Sequence, residues 1–167
     1  MEINLTNLNY KVIKRPIGWV RRSRKGSVKF IEINNEIFVL KQYGTHPSCK
    51  DNYRNEKQIY TILRNETFLP KLKYYNDKER LLILEDVGIS IDIYNDISKY
   101  NNLLENFNNQ LKGIIDILYY KYSLCHIDIN PRNICISNNI IRLIDFELCE
   151  KISTETEINY HQLEPKK

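Results

Sequence analysis

The stretch His126-Ile127-Asp128-Ile129-Asn130-Pro131-Arg132-Asn133 decides how the rest of this chain is interpreted. It places a carboxylate and an amide five residues apart, and two apolar runs, Ile134–Ile136 and Ile140–Ile144, follow it. Asp145-Phe146-Glu147 comes directly after the second run. Carboxylate and amide oxygens are the hard ligands that Mg²⁺ prefers. The pattern therefore predicts a polar, metal-binding site built at the ends of apolar strands.

The arrangement resembles the H-x-D-x-x-x-x-N catalytic loop and the D-F-G metal loop of the protein-kinase-like superfamily. The resemblance extends over roughly Tyr10 to Glu150. It implies ATP- and Mg²⁺-dependent phosphoryl transfer, in which Asp128 accepts or orients the hydroxyl of the substrate. It also implies that Asn133 and Asp145 hold Mg²⁺ ions that bridge the nucleotide phosphates. His126 would then be structural and hydrogen-bonded to nearby backbone.

The first half of the chain has the alternation and the turn residues of an antiparallel sheet. Strand-like segments lie at Tyr10–Ile13, Ser27–Ile33, Glu36–Lys41, Leu72–Tyr75 and Leu81–Leu84. Asn34-Asn35 predicts a tight turn, because asparagine tolerates a positive φ. Lys41 looks like the lysine of the V-A-I-K segment of kinases, which contacts the α- and β-phosphates of ATP.

Residues Ser48 to Leu63 have the periodicity of an amphipathic helix. The inward stripe of this helix consists of Tyr53, Glu56, Tyr60 and Leu63, with Ile59 beside it. A lone carboxylate in such a stripe needs a partner. Lys41 is the expected partner of Glu56, and the resemblance supplies the same pairing between the strand lysine and the αC glutamate. The alternative is a partly exposed glutamate at the edge of the stripe.

Two further segments look like nucleotide-contacting parts of the family. Glu85-Asp86-Val87-Gly88 is similar to the hinge between the lobes, which implies that the backbone of Glu85 and Val87 bonds the adenine edge. Gly18 and Gly26 stand where the family has a glycine-rich loop over the phosphates, with four cationic side chains between them. Either these residues form a solvated basic hairpin tip, or their charges replace part of the amide cradle or attract an acidic substrate.

A long apolar stripe predicts the central helix of a second lobe over Tyr100 to Tyr122. The stripe consists of Leu104, Phe107, Leu111, Ile114, Ile115, Leu118 and Tyr122. The expected fold is thus α+β and bilobal: an N-lobe with an antiparallel sheet and an αC helix over residues 1–87, a strongly reduced and mainly helical C-lobe over 88–150, and a tail over 151–167. The reduced lobe would leave apolar surface uncovered, which predicts a homodimer or a protein partner.

Several positions depart from the family pattern. Ile127 replaces the arginine of H-R-D, and Glu147 replaces the glycine of D-F-G. Asn130 stands where serine/threonine kinases often have a phosphate-contacting lysine, and Arg132 would substitute for it. Because no A-P-E segment follows Glu150, the chain is more similar to small atypical kinases, such as the RIO group, than to a full protein kinase.

The bulk composition sets the class of protein. Of the 167 residues, 42% are apolar and 28% are charged, which is typical of a soluble globular domain. The four cysteines form no C-x-x-C pair, and no apolar run approaches the ~20 residues of a membrane span, so we expect a cytoplasmic protein with reduced thiols. The net charge of +4 does not indicate nucleic-acid binding. The abundance of Asn, Ile and Lys is typical of an AT-rich genome, such as a viral one, in which case the compartment would be the host cytoplasm.

Three functions remain open from the sequence. The first is a serine/threonine protein kinase of minimal size, which Pro131 in the catalytic loop favours. The second is a small-molecule kinase of the aminoglycoside, choline or sugar type, because Ile144–Glu147 is also similar to those enzymes, although little chain follows Asp145 to enclose a small substrate. The third is an ATP-binding pseudokinase that acts as a partner-binding module.

Overall fold

The computed structural model describes residues 10–13, 22–23, 26–91 and 101–152. Its elements in chain order are β1 (Lys11–Ile13), β2 (Arg22–Ser23), β3 (Gly26–Ile33), β4 (Glu36–Tyr43), α1 (Pro47–Ile62), β5 (Leu72–Asn76), β6 (Leu81–Glu85), β7 (Ile89–Ser90), α2 (Asn101–Asp116), a π-helix (Ile117–Lys121), β8 (Leu124–Cys125), β9 (Ile134–Ser137), β10 (Ile140–Leu143), a 3₁₀ helix (Phe146–Leu148) and β11 (Glu150–Lys151). The α+β class is confirmed. Gly18 and the predicted tail from residue 153 onward lie outside the described residues.

The main sheet is antiparallel, with the strand order β1-β3-β4-β6-β5, and the short β2 also pairs with β3. Asn34 and Asn35 join β3 to β4 with φ angles of 52° and 65°, the left-handed values of a two-residue hairpin turn. The sheet and the helix that follows it are compatible with the N-lobe of a kinase. The division into two lobes stays a prediction.

Alternation along β4 decides which way Lys41 points. Phe38 and Leu40 belong to a small core on one face of the sheet. Because successive side chains of a strand point to opposite faces, Lys41 shares the other face with Val39 and Tyr43, which pack in the larger core. This second face is the one covered by α1.

Helix α1 begins after His46, whose Nδ1 accepts a hydrogen bond from the backbone N–H of Ser48, and Pro47 occupies its first turn. Its buried face is the predicted stripe. The buried residues of the helix are Cys49, Tyr53, Glu56, Ile59 and Tyr60. The helix therefore carries a glutamate into the interior among aromatic and aliphatic side chains.

The second half of the chain surrounds the catalytic-loop stretch with short elements. α2 continues into the π-helix, and β8 then pairs with β11 on one side of residues 126–133. On the other side, β9 and β10 form the predicted hairpin, and β7 joins β9 to make a three-stranded sheet. The buried positions of the predicted stripe include Ile114 and Leu118, whereas the side chain of Leu104 lies outside the described residues.

One core joins the two halves. The larger cluster of buried side chains includes Tyr53 and Tyr60 of α1 together with Leu118, Leu143 and Phe146 from the second half. The backbone N–H of Leu143 also donates to the carbonyl of Phe68, at 2.7 Å. Within the described part of the chain, no helix is both long and apolar enough to cross a membrane.

Candidate active site

The first pair of the site is Lys41 and Glu56. The strand face of Lys41 and the inward face of α1 bring the lysine Nζ to 2.7 Å from Glu56 Oε2. Glu56 is fully buried, so it is not the partly exposed glutamate that the sequence left as an alternative. The lysine and the glutamate named from the sequence thus lie in direct contact.

Two further carboxylates surround the same lysine. Lys41 Nζ lies 2.5 Å from Asp145 Oδ1 and 3.6 Å from Glu147 Oε2. The carboxylates of Glu56, Asp145 and Glu147 offer oxygen atoms that all lie within 4.8 Å of one another. Negative charge is therefore in excess around one ammonium group, and the donors are hard oxygens. This donor set fits a divalent cation such as Mg²⁺.

The charges in this cluster shift the pKa values of its members. Burial alone would lower the pKa of Lys41, but the carboxylates of Glu56, Asp145 and Glu147 outweigh it and raise that pKa above its ordinary value. Burial raises the pKa of Glu56 from 4.5 to about 7, although the lysine charge opposes the rise. Lys41 therefore stays cationic at neutral pH.

The segment that carries Asp145 is held by α1. Asp145 has a φ of 66° in the left-handed region, and the 3₁₀ helix follows it directly. The backbone N–H of Phe146 donates to Glu56 Oε1 at 3.1 Å. The buried Phe146 ring packs against Tyr60 and His126, with ring centroids 5.8 Å and 4.5 Å away. Glu56 thus contacts both the lysine and the backbone of the segment that carries Asp145.

Asn55, the residue before Glu56, is a site residue that the sequence did not indicate. Its Nδ2 donates to the carbonyl oxygen of Glu147 at 3.0 Å and to that of Cys149 at 2.7 Å. Helix periodicity places Asn55 at the edge of the buried face, but nothing in the sequence assigns it a partner more than 90 residues away.

In the catalytic-loop stretch, amide groups hold the Asp128 carboxylate. Asn133 Nδ2 donates to Asp128 Oδ2 at 2.9 Å, and Asn130 Nδ2 donates to Asp128 Oδ1 at 2.8 Å. Asn133 also donates to the backbone carbonyl of Asp128, at 3.0 Å. The amide nitrogen of Asn133 is therefore committed to Asp128, and the carbonyl oxygen of its side chain is the atom suited to a cation.

His126 and Ile144 connect this stretch to the Asp145 segment. The backbone N–H of Ile144 donates to the carbonyl of Asn133 at 3.0 Å, and the carbonyl of Ile144 lies 3.0 Å from His126 Nε2. Burial lowers the pKa of His126, so the ring is neutral and its Nε2–H donates to this carbonyl. The hydrogen bond expected between His126 and nearby backbone is confirmed. Ile144 is bonded to His126 and to Asn133, the two ends of the loop, and Asp145 directly follows it.

Ile127 has an unusual backbone conformation. Its φ is 64°, a left-handed value that is costly for a β-branched residue, and the N–H of Asp128 donates across it to the carbonyl of His126 at 2.8 Å. The side chain is exposed. The tight turn therefore sets the direction of the chain as it enters Asp128.

Residues 85–88, the predicted hinge, lead from the end of β6 into β7. The backbone N–H of Glu85 donates to the carbonyl of Lys71 at 2.9 Å, and Glu85 Oε2 accepts the backbone N–H of Lys71 at 3.1 Å. Gly88 has a φ of 100°, and a Cβ on it would lie 2.8 Å from the carbonyl oxygen of Ile136. The adenine contacts assigned to Glu85 and to the buried Val87 stay predictions.

Gly26 lies in a strand, at the start of β3. A Cβ on Gly26 would lie 2.4 Å from the carbonyl oxygen of Gln42, so close pairing with β4 by itself requires glycine. Its contact with phosphate, like that of Gly18, stays a prediction.

Comparisons with known proteins agree with the resemblance but are distant. No family model matches the chain. An Aurora kinase of Eremothecium gossypii is 27% identical over 104 residues, which cover 59% of this chain and 28% of the Aurora kinase. The chain thus matches less than a third of that relative's length. The similarity supports a protein-kinase-like relationship, and it gives no support to a RIO-type or viral assignment.

Proposed function

We propose that this chain is an ATP- and Mg²⁺-dependent phosphotransferase that moves the γ-phosphoryl group of ATP to a serine or threonine hydroxyl of a protein. The observation that carries the proposal is the charge cluster in which Lys41 lies between Glu56 and Asp145, next to the loop in which Asn133 holds Asp128. Phosphoryl transfer depends mostly on positioning and on charge neutralisation, and this cluster supplies groups for both.

Three residues of the cluster and two of the adjacent loop have roles in this proposal. Lys41, kept cationic and oriented by Glu56, binds the α- and β-phosphates. Asp145 and the side-chain oxygen of Asn133 hold Mg²⁺, which supplies positive charge against the phosphate oxygens when it is bound. Asp128 orients the attacking hydroxyl, because its carboxylate is fixed on both oxygens by amide donors.

A protein hydroxyl is the proposed acceptor for two reasons. Pro131 follows Asn130 in the catalytic loop, as the protein-kinase resemblance expects, and the similar protein from Eremothecium gossypii is named a kinase of the Aurora type. In addition, Ile127 and Leu148 are exposed apolar side chains close in sequence to Asp128 and Asp145. Exposed apolar side chains of this kind are suited to contact with a polypeptide.

The test is a transfer assay with radiolabelled ATP and Mg²⁺, which measures autophosphorylation and phosphorylation of generic protein substrates. Asp128→Ala should lower the rate about 100-fold or more, the usual effect of removing a group that positions or transfers the proton. Asp145→Ala should also lower it strongly, because it removes a proposed ligand of Mg²⁺. Asp116→Ala is the matched control, because Asp116 pairs with Lys112 on α2, outside the cluster. Undiminished transfer in both Asp128→Ala and Asp145→Ala would remove these two residues from the mechanism.

Two other outcomes would replace the proposal. Turnover with a panel of metabolites, and not with proteins, would show a small-molecule kinase. Thermal stabilisation by Mg·ATP without any turnover would show a nucleotide-binding module.

A further inference from the structure

Helix α1 contacts the metal-binding segment through two adjacent side chains. Glu56 accepts the N–H of Phe146, and Asn55 donates to the carbonyls of Glu147 and Cys149. These three hydrogen bonds span the 3₁₀ helix from its first residue to the residue after it. The backbone between Asp145 and β11 is therefore held by α1 at three points.

Packing and hydrogen bonding do different things in this segment. The buried side chains of Phe146 and Cys149 anchor its position. The carboxylates of Asp145 and Glu147, in contrast, are 36% and 26% exposed, so packing alone does not fix their direction. The direction of the peptide groups between the anchors is fixed by the donors that meet their carbonyls. Asn55 supplies two such donors from a single nitrogen atom.

We propose that Asn55 is a positioning residue for phosphoryl transfer: by holding the carbonyls of Glu147 and Cys149, it orients the 3₁₀ segment so that the carboxylates of Asp145 and Glu147 face Lys41. The inference rests on the proposed function and extends it to a residue outside the charge cluster. It makes the metal-binding geometry depend on the docking of α1 through Asn55 as well as through Glu56.

Replacing the side-chain amide of Asn55 tests the proposal. Both protons of the Asn55 amide are used, one for each carbonyl. Asn55→Asp keeps the shape, removes both donors and places a carboxylate oxygen opposite two carbonyl oxygens. Asn55→Ala removes the donors without adding repulsion. The aspartate variant should therefore be the more severe of the two.

The experiment measures kcat, the KM for a protein substrate and the Mg²⁺ concentration for half-maximal rate. Loss of two neutral hydrogen bonds should lower kcat of Asn55→Asp about 10- to 100-fold. The Mg²⁺ requirement should rise several-fold, and the KM for the protein substrate should stay within about twofold, because the hydrogen bonds of the Asn55 side chain to described residues go to the segment after Asp145. Asn52→Asp, the same exchange one turn earlier on α1, is the matched control and should behave as the parent protein.

Amide hydrogen exchange gives a second readout that does not need activity. Asn55→Asp should speed exchange at Phe146 and Cys149, whose N–H groups bond Glu56 and the carbonyl of Phe146, and leave β3 and β4 unchanged. Unchanged exchange at both amides would overturn the proposal. So would a uniform loss of protection with normal kcat and Mg²⁺ dependence. If the parent protein transfers no phosphate, the proposed function fails, and exchange at these two amides alone decides whether Asn55 orients the segment.

Discussion

Replacing Glu56 by glutamine should change how the stability of the protein depends on pH. Glu56 is fully buried, and burial raises its pKa from 4.5 to about 7 in spite of Lys41. A carboxyl group with a raised pKa in the folded state stabilises the fold below its unfolded pKa, and that contribution is lost as the pH rises through the folded value. The free energy of unfolding of the parent protein therefore contains a term that falls between pH 4.5 and about pH 7.

The size of this term follows from the difference between the two pKa values. From 4.5 to about 7, at about 1.4 kcal/mol for each pKa unit, the loss is on the order of 3 kcal/mol. Glutamine has the shape of the protonated glutamic acid and does not ionise. The variant should thus match the parent protein near pH 4.5 and become more stable than it by this amount above pH 7. Phosphoryl transfer should fall at the same time, because Lys41 loses an oriented carboxylate.

The assay is urea denaturation followed by circular dichroism at several pH values from 4 to 8. The quantity of interest is the difference in free energy of unfolding between Glu56→Gln and the parent protein. Glu36→Gln, at an exposed position at the start of β4, reports the effect of removing a solvent-exposed carboxyl. A difference that is flat, or that favours the parent protein more as the pH rises, would refute the reasoning. It would mean that the ion pair with Lys41 outweighs burial.

Two further predictions concern backbone conformation and use the same denaturation assay at one pH. Gly88→Ala should lower the free energy of unfolding by about 2 kcal/mol, since φ is 100° and the new Cβ would meet the carbonyl of Ile136. The control is Gly113→Ala on α2, where a Cβ meets nothing within 4 Å, and this variant should be neutral or stabilising. Equal effects at the two glycines would contradict the argument. Ile127→Asn should raise the free energy of unfolding by about 1 kcal/mol, because asparagine adopts a positive φ more readily than isoleucine and the exposed side chain loses little packing. A loss of stability in this variant would show that Ile127 makes a contact that outweighs its backbone strain.

Local patterns predicted the parts of the fold that depend on neighbours in sequence. The stripe of α1 placed Glu56 inside, where a carboxylate needs a partner, and the kinase resemblance implied that Lys41 is this partner. Asn34-Asn35 marked the turn between β3 and β4 because only a few residue types accept a positive φ. The resemblance of residues 126–133 to a catalytic loop placed Asp128 and Asn133 together, and their side chains are hydrogen-bonded.

The remaining features depend on contacts between distant segments. β8 and β11 contain two residues each and exist because they pair with each other across 25 residues. Such short strands have no periodicity of their own. The direction of the Glu147 carboxylate and the bonds of Asn55 are set in the same way, by the docking of α1 against the segment after Asp145. No pattern within either segment determines how the two meet.

The burial of residues around the site has an evolutionary consequence. The buried rings of His126 and Phe146 contact each other and help to form the core, so selection for stability alone would preserve both in a lineage that had lost catalysis. Glu56 is different, because burial raises its pKa and so disfavours its ionised form in the folded protein. Asp128 is only partly buried and belongs to neither apolar core cluster. Under the proposed function, mutational drift after a loss of activity would therefore erase these two acids before the two rings.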